Sequence, residues 1–186
     1  EEALALFERV GDLFGVASTL NNLGDLHRRA GHMMEAEAHY RRALGISQTQ
    51  GAAQLEAMIV AGLALVLISE FRYDEALREL EVAWRMADVL GHEGVLAALH
   101  ALSLPCAVVA KDRAGWAEHE GRLFAHVNDE AVLERAVIEA VELAGDLSHQ
   151  AGDAERARRA WSLAARLFTN AGLREKAASL RARATD

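Results

Sequence analysis

The sequence has one cysteine, Cys106, so an internal disulfide framework and a cysteine-rich zinc site are both excluded. It has one proline, Pro105, and few aromatic residues, which argues against a loop-rich or all-β fold, whose turns draw on proline. No segment sustains the alternation of apolar and polar residues that a half-buried strand requires, so no strand is expected. The apolar run Ala57 to Ile68 holds twelve residues. As a helix it would rise about 18 Å, too short for a bilayer core of about 30 Å. The chain opens on Glu1 and Glu2 without a signal-like segment. With its single thiol, it reads as an internal piece of a longer cytoplasmic protein.

Positive charge is also scarce. The formal net charge is −8, from 28 acidic and 20 basic residues, which repels nucleic acid and anionic lipid. The exception is the stretch from Gly152 to Asp186, where eight basic residues outnumber four acidic ones. No aromatic stacking pattern accompanies them, so a solvated basic face is expected rather than a phosphate contact.

Helix formers fill the remainder, and hydrophobic residues make up 52% of the chain, enough for a substantial core. Gly, Asp and Asn interrupt the chain at short intervals, and the segments between them carry helical spacing. Ten helices are predicted, over 1–13, 16–30, 33–49, 53–70, 73–90, 93–110, 113–127, 130–151, 153–169 and 173–184. Asp74, Asp112, Asp129 and Asp153 are placed to cap helix N-termini with their side-chain oxygens. The connections are short, so consecutive helices should run antiparallel.

Comparing the chain with itself reveals a repeat. Leu23-Gly24-Asp25-Leu26, Ala30-Gly31, Ala36, Tyr40 and Ala43 return as Ala144-Gly145-Asp146-Leu147, Ala151-Gly152, Ala157, Trp161 and Ala164, every match 121 residues on. That is close to three units of 40. Leu63, Ala64, Leu67, Ala76, Leu80 and Ala83 echo the first unit at +40, and Trp116, Glu120 and Leu123 echo it more weakly at +80. Small residues at such spacings let two helix axes approach closely.

This pattern resembles the tetratricopeptide repeat (TPR) family. Leu23, Gly24, Ala36, Tyr40 and Ala43 match the family's Leu-Gly pair and its small, large-aromatic, small second helix. The period of 40 exceeds the family's usual length of about 34. Pro105 departs from the pattern and should kink its helix. The resemblance implies an all-α, right-handed α-solenoid of antiparallel hairpins, open rather than closed into a bundle, with no sheet. It divides the single array 1–186 into 1–14 as the second helix of a truncated unit, hairpins at 16–50, 53–91, 93–128 and 130–170, and a terminal helix at 173–184. The Leu104-Pro105-Cys106 and Trp116 unit bears a weaker resemblance to C-terminal repeat regions of bacterial signalling proteins such as serine/threonine kinases. Their Gly-rich and His-Arg-Asp motifs are absent, so no catalytic residue carries over.

The residues offer little catalytic chemistry. His119 and His126 lie seven apart, about 10 Å along a helix, too far for one zinc. Scattered surface histidines are expected, with no metal or cofactor. Cys106 should be a buried, inert thiol. No phosphate-cradling glycine loop and no oriented nucleophile occur. A non-enzymatic module is expected.

In the resembled family the first helix of each unit lines a concave, ligand-binding face. By position that face here holds Asn21, Asn22, Asp25 and Arg28, then Met58, Leu65 and Ile68, then Leu102, and finally Glu139, Glu142 and Asp146. It is polar at one end, apolar in the middle and acidic at the other end. The helices carrying Leu65 and Leu102 are apolar all round, a pattern that ordinarily signals burial all round. Three readings remain open: a protein or peptide bound there, cover by another part of the same protein, or self-packing of a tightly wound superhelix. An amphipathic helix or extended apolar segment with a basic flank suits such a groove. Self-association through exposed hairpin ends is the alternative.

Overall fold

The computed structural model describes residues 2–127 and 133–185. Among these residues every regular element is a helix: α1 (Glu2–Val10), α2 (Leu13–Arg29), α3 (Met33–Gln50), α4 (Ala53–Ser69), α5 (Tyr73–Leu90), α6 (Glu93–Val109), α7 (Arg113–His126), α8 (Arg135–Gln150), α9 (Ala154–Asn170) and α10 (Arg174–Thr185). They form an α-solenoid in which α2 pairs with α3, α4 with α5, α6 with α7 and α8 with α9. The helix α6 runs through Pro105 to Val109.

Two joints depart from the sequence reading. The second helix starts at Leu13 rather than at residue 16. Gly11 breaks the chain with φ +75°, and the Asp12 side chain then accepts a hydrogen bond from the Gly15 amide at 2.9 Å. The eighth helix starts at Arg135 rather than at residue 130, because Glu134 holds extended backbone (φ −56°, ψ 139°). Asp112 and Asp153 cap their helices as expected, accepting from the amides of Gly115 and Arg156. Asp74 is not a cap: α5 already begins at Tyr73, which puts Asp74 in its first turn. Asp129 lies outside the described residues.

The tightest packing centres on Tyr40. Its ring is fully buried between two glycines, one in its own hairpin and one in the next. A Cβ added at Gly24 would come within 2.7 Å of that ring, and one at Gly62 within 2.6 Å. Trp161 packs against Gly145 in the same way, where an added Cβ would lie 2.5 Å from the indole. The 121-residue echo is therefore a repeated steric device, in which a large ring fills space left by an absent side chain.

After α7 the stacking changes. The preceding hairpins join through α3–α4 and α5–α6, but α7 and α8 have no α-carbons within 8 Å of each other among the described residues. Instead α8 lies along α6 and also reaches α4. This answers the question posed by the all-round apolarity of α4 and α6: both are packed on nearly every side. Side chains link α2 to the residue that precedes α8. Arg28 of α2 donates to Glu134 at 2.7 Å and Arg29 does so at 3.3 Å.

The basic C-terminal stretch is not simply a solvated face. Arg159 of α9 forms a two-pronged ion pair with the buried Glu120 of α7. Arg156 lies over the Trp116 ring at 5.1 Å, and Arg166 donates to the Val127 carbonyl at 2.9 Å. These arginines tie α9 to α7. The helix α10 buries Ala177 and Leu180 against α9 and turns Lys176 and Arg183 toward Glu142 and Asp146 of α8.

Where the first helix of a hairpin hands over to the second, one residue takes a left-handed conformation. Gly31 and Gly152 do so at φ +82° and +79°, but Phe71 and Lys111 occupy the same place at +61° and +56°. A residue with a Cβ costs about 1–2 kcal/mol there. Phe71→Gly should therefore stabilise the fold by about 1 kcal/mol, raising the melting temperature by about 2–4 °C. Gly62→Leu should cost about 1–3 kcal/mol by overpacking against Tyr40. Urea titration of both variants checks the pair, and equal midpoints would contradict the packing described.

Candidate functional site

The first helices of the hairpins, α2, α4, α6 and α8, contact one another in succession along one side of the array. On α2 the residues Phe14, Ser18, Asn21, Asp25 and Arg28 recur at three- and four-residue spacing and so share one side. Along this side lie three cavities. The first, about 410 Å³, is lined by Phe14, Ser18, Gln54, Leu55 and Met58. The second, about 320 Å³, takes up Met58 again with Asn21, Asp25, Leu65, Val95 and Leu133. The third, about 300 Å³, continues past Leu65 to Arg28, Met33, Ile68, Glu139 and Leu143. Met58 and Leu65 thus stand as shared walls between successive cavities. Phe14 is 57% exposed and Met58 46% exposed.

A polar network fixes the floor of this groove. The Tyr40 hydroxyl donates to Asp25 at 2.7 Å, and Arg28 donates to the same carboxylate at 3.3 Å. Burial, reinforced by the bond to Asp25, keeps the Tyr40 hydroxyl protonated well above the usual phenol range. The network recurs in the last hairpin, where the Trp161 indole N–H donates to Asp146 at 2.8 Å and Arg183 pairs with the same carboxylate.

The residues expected to line one groove divide into several groups. Asn21, Asp25, Met58 and Leu65 meet at the second cavity, and Arg28, Leu65, Ile68 and Glu139 at the third. Asn22 is exposed and lines none of the three. Leu102 is fully buried, so it is no part of an accessible surface; the packing of α8 on α6 is the reason. Ile68 is only 5% exposed. The acidic end is neutralised from within: Lys176 of α10 binds Glu142 at 2.8 Å, and Arg183 reaches both Glu142 and Asp146. Glu139 pairs with Arg135 on its own helix.

Sequence reasoning passed over Phe14 as a groove residue, although its position four before Ser18 was the available signal. Glu134 had no local signal, since its partner Arg28 lies 106 residues away. The histidines are also less scattered than expected. His100 and His119 are both buried, with their Nδ1 atoms 3.1 Å apart. Among the described residues no group of three or more His, Cys, Asp or Glu side chains is arranged to hold a metal ion. Cys106 is buried and donates weakly to the Leu102 carbonyl, and burial pushes its thiol up to about 12.

Comparison with known proteins agrees with this geometry. Residues 1–49, from α1 to the end of α3, match the family model described as "Tetratricopeptide repeat". Residues 1–49 carry a tetratricopeptide repeat. Such repeats are generally non-catalytic scaffolds for protein interaction. The matched segment contains the Gly24–Tyr40 contact and the Asp25–Tyr40 hydrogen bond. Among solved structures the chain resembles BtubC (BKLC) from P. vanneervenii, with a TM-score of 0.62 and 18% identity, over 99% of this chain and 86% of that one. At that identity the likeness concerns the fold. No curated protein matches the chain. Among the described residues no helix is long and apolar enough to cross a membrane.

The tetratricopeptide ring contacts make a sharp test possible. Tyr40→Phe keeps the ring between Gly24 and Gly62 and removes one hydrogen bond to Asp25, so it should cost about 0.5–1.5 kcal/mol. Tyr40→Ala empties the space and should cost about 3–5 kcal/mol. Chemical denaturation measures both, and a Phe variant as unstable as the Ala variant would show that the hydroxyl, not the ring, holds the joint.

Proposed function

We propose that the chain is a non-catalytic protein-binding module, one array of tetratricopeptide-like hairpins, that takes an apolar segment of a partner in the groove running from Phe14 past Met58 to Leu65. The supporting observation is the pair of half-exposed apolar side chains, Phe14 and Met58, standing in cavities that share Met58 as a wall. Large apolar side chains grouped in a concavity are a common mark of binding surfaces. The occupant is an amphipathic helix or an extended apolar stretch of a protein. Its basic flank, expected from the acidic stripe of α8, would compete with Lys176 and Arg183 of α10, so the contact centres on apolar burial. The setting is a scaffold or sensor part of a larger bacterial signalling protein in the cytoplasm.

Burying about 400 Å² of apolar surface would contribute about 10 kcal/mol at 25 cal/mol per Å². Association and ordering cost about 4–15 kcal/mol, which leaves weak to micromolar binding. The test uses short amphipathic peptides selected from a displayed library on the full chain. Met58→Asp, confirmed as folded by circular dichroism, should weaken binding at least tenfold, about 1.4 kcal/mol. Unchanged affinity in that variant, with loss in Arg41→Asp on the outer helix α3, would transfer the function to the convex face.

A second reading rests on a different surface. Apart from Phe14 of the groove, Leu6, Val10 and Leu13 are exposed apolar side chains along α1 and the start of α2. This favours pairing of two copies through their N-terminal faces. Sedimentation equilibrium over a range of concentrations separates the readings: a dimer abolished by Val10→Asp supports the second.

A further inference from the structure

The third hairpin contains a buried pair of imidazoles that the binding reading does not use. His100 of α6 is 2% exposed and His119 of α7 is 5% exposed, and their Nδ1 atoms lie 3.1 Å apart. At that distance one Nδ1 carries the proton and the other accepts it. Trp84 of α5 lies against both rings, with centroids 5.8 and 5.7 Å away. His126 of α7 stacks on His100 at 6.1 Å with the planes 1° apart. Its own Nδ1 lies 3.4 Å from Glu93 of α6.

We propose that the His100–His119 pair is a proton-sensitive clamp, which holds α7 against α6 at neutral pH and releases it in mild acid. The pair accommodates a single proton between its two Nδ1 atoms. Protonating both sets N–H against N–H across the same gap and places charge in an interior with little solvent. The carboxylates that act on His119 are Glu118 and Asp112 from the α7 side and Glu81 from α5, while Glu93 of α6 faces His126. They favour a charged ring, but burial outweighs them and holds His119 below the ordinary histidine range.

The direction follows from linkage. Once α7 opens, His119 regains the ordinary histidine range of about 6.5 and the limit of one proton between the two Nδ1 atoms is lifted, so the open form takes up a proton that the closed pair refuses. The closed form is therefore favoured above about pH 6.5 and loses ground below it, by up to about tenfold per pH unit for each proton refused. The position of the pair makes the release local. Among the described residues α7 has no close backbone approach to α8, so it depends on α6, on the edge-to-face contact of Trp84 with His119, and on the arginine ties from α9. The helix α6 in turn seats α8, which narrows the groove.

Hydrogen exchange on the full chain, corrected for the intrinsic pH dependence of exchange, tests the clamp. The helix α10, which contains no histidine, serves as the internal reference. Between about pH 7.5 and 5.5, protection of α7 relative to α10 should fall by tenfold or more. His119→Gln should flatten that slope, and His126→Gln should retain it. Protection of wild-type α7 that stays flat would overturn the proposal, as would a His119→Gln variant with the wild-type slope. Proton resonances of the rings give a check that needs no variant: titration of both His100 and His119 at about 6.5 would also overturn it. Zinc chloride alone supplies the last arm. If zinc protects α7 in the wild type and not in His119→Gln, the pair is a metal site and the clamp is wrong.

Discussion

The array depends on the absence of a side chain at two places beside Tyr40. Gly24 and Gly62 leave the ring a slot narrower than any Cβ would permit, and the ring fills it completely. One contact belongs to the hairpin and the other to the joint with the next hairpin. The same residue therefore sets how closely two helices pair and how the second pair stacks on the first. Its hydroxyl then fixes Asp25, and Asp25 positions Arg28, which reaches across the concave face to Glu134. A steric device in the core is linked in this way to the electrostatics of the groove.

The other decisive feature is the placement of α8. A regular stack would seat it on α7, but it lies on α6 and touches α4 instead. Leu102 and Ile68 are thereby withdrawn from solvent, and the open part of the groove shifts toward Phe14 and Met58. The α7 helix is left to be held by side chains, with an ion pair from its buried Glu120 to Arg159, a cation over Trp116 and the imidazole pair with α6. Charge in the C-terminal region is spent within the fold: Arg156, Arg159, Lys176 and Arg183 all face internal partners.

Local features were legible in the sequence because each has a local cause. Helix ends could be read where Gly31, Gly91 and Gly152 interrupt apolar periodicity, and hairpins where Ala36, Tyr40 and Ala43 follow Leu23-Gly24. That Asn21 and Asp25 share one side of α2 followed from their spacing of four. What remained hidden depends on distance along the chain. Nothing near Leu102 announces that α8 will cover it, and nothing near Glu134 announces Arg28 as its partner. His100 and His119 lie on different helices, so spacing along either helix says nothing of their meeting. Phe71 was hidden for another reason: a phenylalanine gives no sign that it occupies a left-handed position which glycine fills in the first and last hairpins.

The central claim is that α8 folds into the concave face and bridges back to α2. Pulsed dipolar spectroscopy tests it most directly, with spin labels at cysteines replacing Asn22 and Arg135. Both positions are exposed, and both leave the Arg28–Glu134 pair intact. Cys106 is buried with its thiol pushed up to about 12, so it should stay unlabelled. The account predicts one short, narrow distance distribution. A long or broad distribution would mean that α8 stands away from α2, that Leu102 is open to solvent, and that the groove described here is not the one present in solution.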